Sequence, residues 1–108
     1  MNASASTALV FRALADPTRL AVFERLINEE RTVGALAAGA GVSQPAVSQH
    51  LAVLRTAGLV TERREGRFTH YRANPEGLAP VTDWIGRYRT FWAERFDRMR
   101  SLLEEMEP

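Results

Sequence analysis

The chain has 108 residues, enough for one domain with a modest core but not for a spacious enzyme cleft as well. It contains no cysteine, which excludes disulfides, thiolate metal sites and cysteine redox sensing, and its 45% hydrophobic and 25% charged residues fit an ordinary globular protein. The net charge of +1 is unevenly spread: residues 1–42 carry four Arg against four acids, 43–73 five against two, and 74–108 five against seven, so an anionic partner is expected to meet the middle of the chain.

The opening, MNASASTALVF, has no basic stretch ahead of an apolar one, and no run approaches the roughly 18 apolar residues of a membrane span. A cytoplasmic protein without a membrane partner is expected. A short apolar helix is predicted over residues 5–14. Asp16-Pro17 then forms a cap and first-turn signal for a second helix, whose Leu20, Phe23, Leu26 and Ile27 recur at helical spacing. NEER makes a polar break. Thr32 caps a third helix, VGALAAGA, with Val33, Leu36 and Ala37 on one apolar face, and Gly41 supplies a tight turn.

Ser43 opens the next helix, SQPAVSQHLAVL, with Pro45 at a position that tolerates a missing N–H. At about 100° per residue, Val47, Leu51, Leu54 and Ala57 form a buried stripe. The other side carries Gln44, Pro45, Ser48, Gln49, Ala52 and Thr56, with Arg55 beside them. It is short, uncharged and rich in groups that both donate and accept. A helix entering the DNA major groove needs such a face, because bulk would hold it off the bases while Gln pairs with adenine and Ser serves several bases. First-turn residues such as Pro45 and Ala46 lie beside capping N–H groups that can meet phosphates. His50 falls towards the packed side, where either a hydrogen bond between helices or a contact at the groove edge suits it.

Gly58 ends that helix. Residues 59–65 read as a strand, Gly66-Arg67 as a hairpin tip and 68–73 as the returning strand. Arg63, Arg64 and Arg67 lie at the strand end and tip, within reach of phosphates or a minor groove. His70 and Tyr71 read as packing residues of the hairpin. A two-stranded hairpin cannot stand alone, so it must lean on the helices. A single long helix is predicted over 78–106, with Val81, Ile85, Tyr88, Trp92, Phe96, Met99, Leu103 and Met106 close to a heptad seam. The fold class is therefore mainly α with a small β-hairpin: one winged helix-turn-helix domain over 1–108, with the helix-turn-helix at 32–57 and the wing at 59–73.

Three segments, LADPTRLAVFERL, SQPAVSQHLAVLRTAGLV and RREGRFTHYR, stand in the order found in the ArsR/SmtB family of bacterial winged-helix repressors, which the chain resembles from about Ala8 onward. The resemblance implies a homodimer that binds an inverted-repeat operator on double-stranded DNA and represses transcription. It also places Ser43, Gln44, Ser48 and Gln49 at groove-reading positions, with residues 63–67 on the wing. Metal-sensing members carry cysteines on the helix that here reads TVGALAAGA, or His and acidic ligands along the last helix. This chain has neither, its only histidines being His50 and His70, so it resembles a metal-free subgroup and no cofactor is expected.

Twenty-nine helical residues would span about 43 Å, against a radius of gyration near 13 Å for a domain of this size. The last helix is too long to be covered by its own domain. A partner copy is expected to cover Trp84, Ile85, Tyr88, Phe91, Trp92, Phe96 and Met99, together with Val81 and with Leu9 and Phe11 of the N-terminal helix. The dimerising helices are thus 5–14 and 78–106. The same aromatic cluster suits a small apolar effector. A protein-binding winged-helix module is the other reading open at this point. The two histidines lie on different elements, and there is neither a nucleophile motif nor a Gly-rich phosphate loop, so an enzyme is not expected.

Overall fold

A computed structural model describes residues 3–106; residues 1, 2, 107 and 108 of the expected 1–108 domain lie outside the described residues. The order is α1 (Ala3–Leu14), α2 (Pro17–Asn28), β1 (Arg31–Thr32), α3 (Val33–Ala40), α4 (Gln44–Thr56), β2 (Val60–Glu65), β3 (Phe68–Ala73), a 3-10 turn (Pro75–Leu78), α5 (Ala79–Gly86) and α6 (Arg89–Glu105). Each boundary has a local cause. Asp16 accepts a hydrogen bond from the Arg19 N–H at 3.0 Å and starts α2, and Thr32 Oγ1 accepts from the Ala35 N–H at 3.3 Å and starts α3. Gly41 leaves α3 with φ +68. At the end of α4 the Gly58 N–H donates to Arg55 O at 2.9 Å and the Leu59 N–H to Leu54 O at 2.9 Å, while Gly58 takes φ +78. This is the Schellman pattern, with the buried pair Leu54 and Leu59 closing it.

The core lies where α1, α2, α3 and α4 meet the base of the sheet. It contains Val10 and Ala13 of α1, Val22, Phe23 and Leu26 of α2, Leu36 of α3, Val47, Leu51 and Leu54 of α4, and Leu59, Val60 and Ala73 of the wing base. Leu14, Val33, Val42, Ala57, Tyr71, Leu78 and Val81 pack around it.

The structure corrects the sequence reading in four places. The hairpin is part of a three-stranded antiparallel sheet of order β1-β3-β2, because two residues of the polar break pair with β3, Arg31 opposite Tyr71 and Thr32 opposite His70. A two-residue strand has no periodicity to read. In α2 the buried stripe is Val22, Phe23 and Leu26, whereas Leu20 and Ile27 lie on the flank beyond Phe23 and are 37% and 51% exposed. Val81, grouped above with the residues awaiting a partner copy, packs against the protomer's own core.

The fourth correction concerns the long helix, which is broken. The Arg87 N–H donates to Trp84 O and the Tyr88 N–H to Ile85 O, three-residue steps that tighten the chain after Gly86. Tyr88 leaves helical geometry (φ −106, ψ 19) and its carbonyl accepts from the Trp92 N–H to start α6. Past Pro80, which sits in the first turn of α5, Gly86 is the weakest helix former of the segment, and the turn follows it directly. α5 stays on the body, with Thr7 Oγ1 donating to Pro80 O at 3.2 Å and Phe11 edge-on to Trp84 at 5.6 Å. Every residue of α6 is exposed.

Candidate nucleic-acid interface

Ser43 Oγ accepts from the Ala46 N–H at 3.2 Å, and Pro45 occupies the second position of α4. Val47, Leu51 and Leu54 are fully buried and fix the rotation of the helix about its axis. Ser43, Gln44, Pro45, Ser48, Gln49, Ala52, Arg55 and Thr56 are thereby left exposed along one side, with Ala46 half-buried at the edge. This side is uncharged up to Arg55. Gln44 reaches over the start of α3, where its Nε2 is the nearest atom to the position a Cβ on Gly34 would occupy, 3.7 Å away. Two first-turn groups and a row of amides and hydroxyls are thus offered together to one surface.

The wing stands beside this face. Glu65 and Phe68 are paired across the two-residue loop Gly66-Arg67, and Gly66 has φ +61, the first-position requirement of a type II′ hairpin turn. Side chains alternate across a strand, so neighbouring arginines diverge. Glu62 and Arg64 face α4: the Glu62 carboxylate takes Arg55 Nη1 at 2.6 Å, and Tyr71, opposite Glu62 in register, lies against both. Burial pushes the Tyr71 phenol up, and the Glu62 carboxylate adds to the effect. Arg63 points to the other face, where it pairs with Glu30 at 2.5 Å and Glu65 at 2.7 Å. Its hydrogen bonds hold both carboxyls below their ordinary range. His70 lies between the same two acids, 3.8 Å from each. Of the three wing arginines singled out from the sequence, the structure places Arg64 and Arg67 on exposed positions without an ion pair among the described residues and ties Arg63 behind the hairpin, on the face where a fourth, the exposed Arg72 of β3, lies near Glu30.

His50 is half-buried on the α2 side of α4. Arg19 Nη1 donates to His50 Nδ1 at 3.4 Å, so in the neutral ring the proton sits on Nε2. Arg19 also donates through Nε to Ala13 O at 2.5 Å and through Nη2 to Arg12 O at 3.2 Å, closing the C-terminal end of α1. Asp16 lies close by, its carboxyl lowered chiefly by the Arg19 N–H that it caps, with a smaller contribution from His50. One arginine therefore joins α1, α2 and α4. Sequence reading missed Arg19, Glu30 and Glu62, whereas Tyr71 packs in the hairpin as expected. For Glu62 a signal existed, since it stands two residues after buried Val60 on the same side of the strand, but its partner on α4 cannot be known before the hairpin is docked.

A second surface lies at the other end. Trp84, Ile85, Tyr88, Phe91, Trp92, Phe96 and Met99 are each 40–59% exposed. Trp84 meets Tyr88 edge-on at 5.3 Å, Phe91 meets Trp92 at 5.2 Å, and Arg95 lies over the Phe91 ring at 3.8 Å. An open groove of about 570 Å³ runs between Ile85, Gly86, Trp92, Ala93 and Phe96, with Thr82 and Arg89 at its polar edge. Phe11 joins this surface, whereas Leu9 is half-buried. Among the described residues no three His, Asp or Glu side chains converge on a point that would hold a metal ion, and no helix is long and apolar enough to cross a membrane.

Comparison with known proteins agrees with this geometry. The family model described as a helix-turn-helix domain matches residues 14–63. The chain is 48% identical over 80 residues to the HTH-type transcriptional regulator Rv2034 of Mycobacterium tuberculosis, a match covering 74% of this chain and 75% of that protein. Among solved structures it is similar to an ArsR-like transcriptional regulator from Rhodococcus sp. RHA1, with a TM-score of 0.73, 30% identity, and coverage of 92% of this chain and 93% of that one. It is also similar to the homodimeric winged helix-turn-helix DNA-binding domain Mb0332 of Mycobacterium bovis, a possible ArsR-family regulator, with a TM-score of 0.64, 32% identity and 83% of each chain covered.

Proposed function

This chain belongs to the ArsR family of winged helix-turn-helix transcriptional regulators, and on that premise we propose that it is a metal-independent repressor that binds an inverted-repeat operator as a homodimer. The observation that carries the DNA reading is the exposed, uncharged side of α4 standing next to a wing that leaves Arg64 and Arg67 exposed without an ion pair among the described residues. Gln44, Ser48 and Gln49 read base edges in the major groove. Ser43, Pro45 and Ala46 bring the first-turn N–H groups to a phosphate, and His50 offers its Nε2–H at the groove edge. Arg64 and Arg67 of the wing and Arg55 at the end of α4 meet the backbone, a contribution that is strong, salt-sensitive and blind to sequence. Arg63 braces the hairpin against Glu30.

Dimerisation is supported by the aromatic surface of α5 and α6, which a solitary protomer leaves in water, and by the homodimeric relative. Two-fold pairing sets two copies of α4 about one DNA turn apart and calls for a near-palindromic site. Metal independence is supported by the absence of cysteine and by histidines that are confined to α4 and β3. A dimer seated on a promoter represses by occupying it. The open groove beside Trp92 and Phe96 favours a second reading of that surface, in which a small apolar effector binds there.

The test is fluorescence anisotropy with labelled duplex from upstream of the protein's own gene and a scrambled control, at two salt concentrations. Binding that is tighter on the native duplex and weakened by salt is expected. Equal, weak binding to both duplexes would favour a winged helix that docks protein.

A further inference from the structure

Arg55 stands at the last turn of α4, on the flank of the groove-facing side, and with Ser48, Ala52 and Tyr71 it lines a small notch between that helix and the wing. A guanidinium in such a place is free to take a phosphate oxygen as the helix seats. Here it is already occupied. Its Nη1 lies 2.6 Å from Glu62 Oε1, a charge-assisted contact at the short end of the range. Both partners face solvent, with the arginine side chain 57% and the glutamate 35% exposed, so the pair is not a buried structural bridge. The two partners differ in freedom. Glu62 is short, sits within a paired strand and lies against the anchored Tyr71 opposite it, whereas Arg55 has a long stem and is the last charged residue of its helix. The notch thus presents a fixed anion and a mobile cation side by side, on the surface proposed to approach DNA.

We propose that Glu62 is an internal stand-in for a DNA phosphate: in the free protein it holds Arg55, and seating on DNA requires Arg55 to exchange this carboxylate for a phosphodiester oxygen. The inference rests on the DNA-binding reading above. A guanidinium fork fits carboxylate and phosphate alike, so exchange conserves its hydrogen bonds. It leaves a carboxylate facing the duplex, however, and that charge opposes the gain. The pair as a unit is neutral and adds nothing net to the counterions released from DNA. Glu62 therefore sets the affinity of the protein for DNA of every sequence and restrains its loss onto non-operator DNA, leaving base contacts from α4 to decide where it stays.

The experiment is a sodium chloride series of anisotropy titrations on a mixed-sequence duplex several turns long, with wild type, Glu62→Gln, Arg55→Ala and the double variant. Circular dichroism checks that each is folded. Glu62→Gln is expected to bind more tightly and to steepen the plot of log K against log salt by about 0.9 per protomer. Arg55→Ala is expected to cost more affinity in the Glu62→Gln background than in wild type, because in wild type the phosphate contact that Arg55 gains is offset by the Glu62 pair that it gives up. Equal effects of Arg55→Ala in the two backgrounds would show two independent charges and overturn the exchange. Weaker binding of Glu62→Gln would show instead that the pair props the wing in place, and would overturn it also. If wild type binds no duplex at all, the DNA-binding reading fails and this inference falls with it; normal wild-type binding with an unaltered Glu62→Gln slope sinks the inference alone.

Discussion

Arg63 and Arg64 are neighbours in sequence with different surroundings, and single-residue effects should follow the surroundings. Arg67→Ala and Arg64→Ala should each weaken binding to all duplexes and flatten the salt dependence by about 0.9 per protomer. Arg63→Ala should change that slope less and act on the hairpin itself, raising amide exchange in β2 and β3, because it deprives Glu30 and Glu65 of their shared partner. The same cluster has a pH signature. Glu30 and Glu65 have lowered values in the folded state, so their stabilising effect is complete above the ordinary Glu value of about 4.3 and fades as pH falls through the lower folded values. The difference in melting temperature between wild type and Arg63→Ala should accordingly shrink on acidification through that range. On α4, Gln49→Ala should cost about 1–3 kcal/mol on operator DNA and relax specificity, which competition with variant duplexes would read. The exposed side of α4 is legible in the sequence because a cap, a proline and a 3.6-residue apolar period fix both its start and its rotation. The separation of Arg63 from Arg64 is not legible, since it depends on which face of the hairpin meets the helix.

At the scale of elements, the caps carry the most information. Asp16, Thr32, Ser43 and Gly58 stand where the sequence predicts helix ends, and each makes the expected backbone contact or takes the expected conformation. Gly58→Ala isolates one of them. No atom lies within 4 Å of the added Cβ, so the cost is that of a left-handed backbone alone, roughly 1–2 kcal/mol, measurable by urea unfolding. Elements defined by tertiary contact are harder to read. β1 exists only because Arg31 and Thr32 meet β3, and the turn between α5 and α6 interrupts an apolar pattern that continues unbroken through it. The heptad steps from Ile85 to Tyr88 to Trp92 predict one rod, yet Gly86 lets the chain turn at little cost and re-aims α6 away from the body.

The whole molecule is extended, 60 Å in its longest dimension with a radius of gyration of 18.2 Å, where a domain of this size would be near 13 Å if closed on itself. The excess is the α6 arm with its aromatic row. α1 packs on α5 at one end and, through Arg19, touches His50 of α4 at the other, so a change at the aromatic surface has a short physical route to α4. Trp92→Glu should turn the dimer into a monomer in sedimentation velocity and weaken operator binding without touching a DNA contact. We propose that two copies of α4 read one symmetric site. Hydroxyl-radical footprinting on DNA from upstream of the gene tests it most directly. Two protected patches related by a dyad, about one helical turn apart, are expected. A single asymmetric patch, or protection that does not distinguish this DNA from a scrambled duplex, would contradict it.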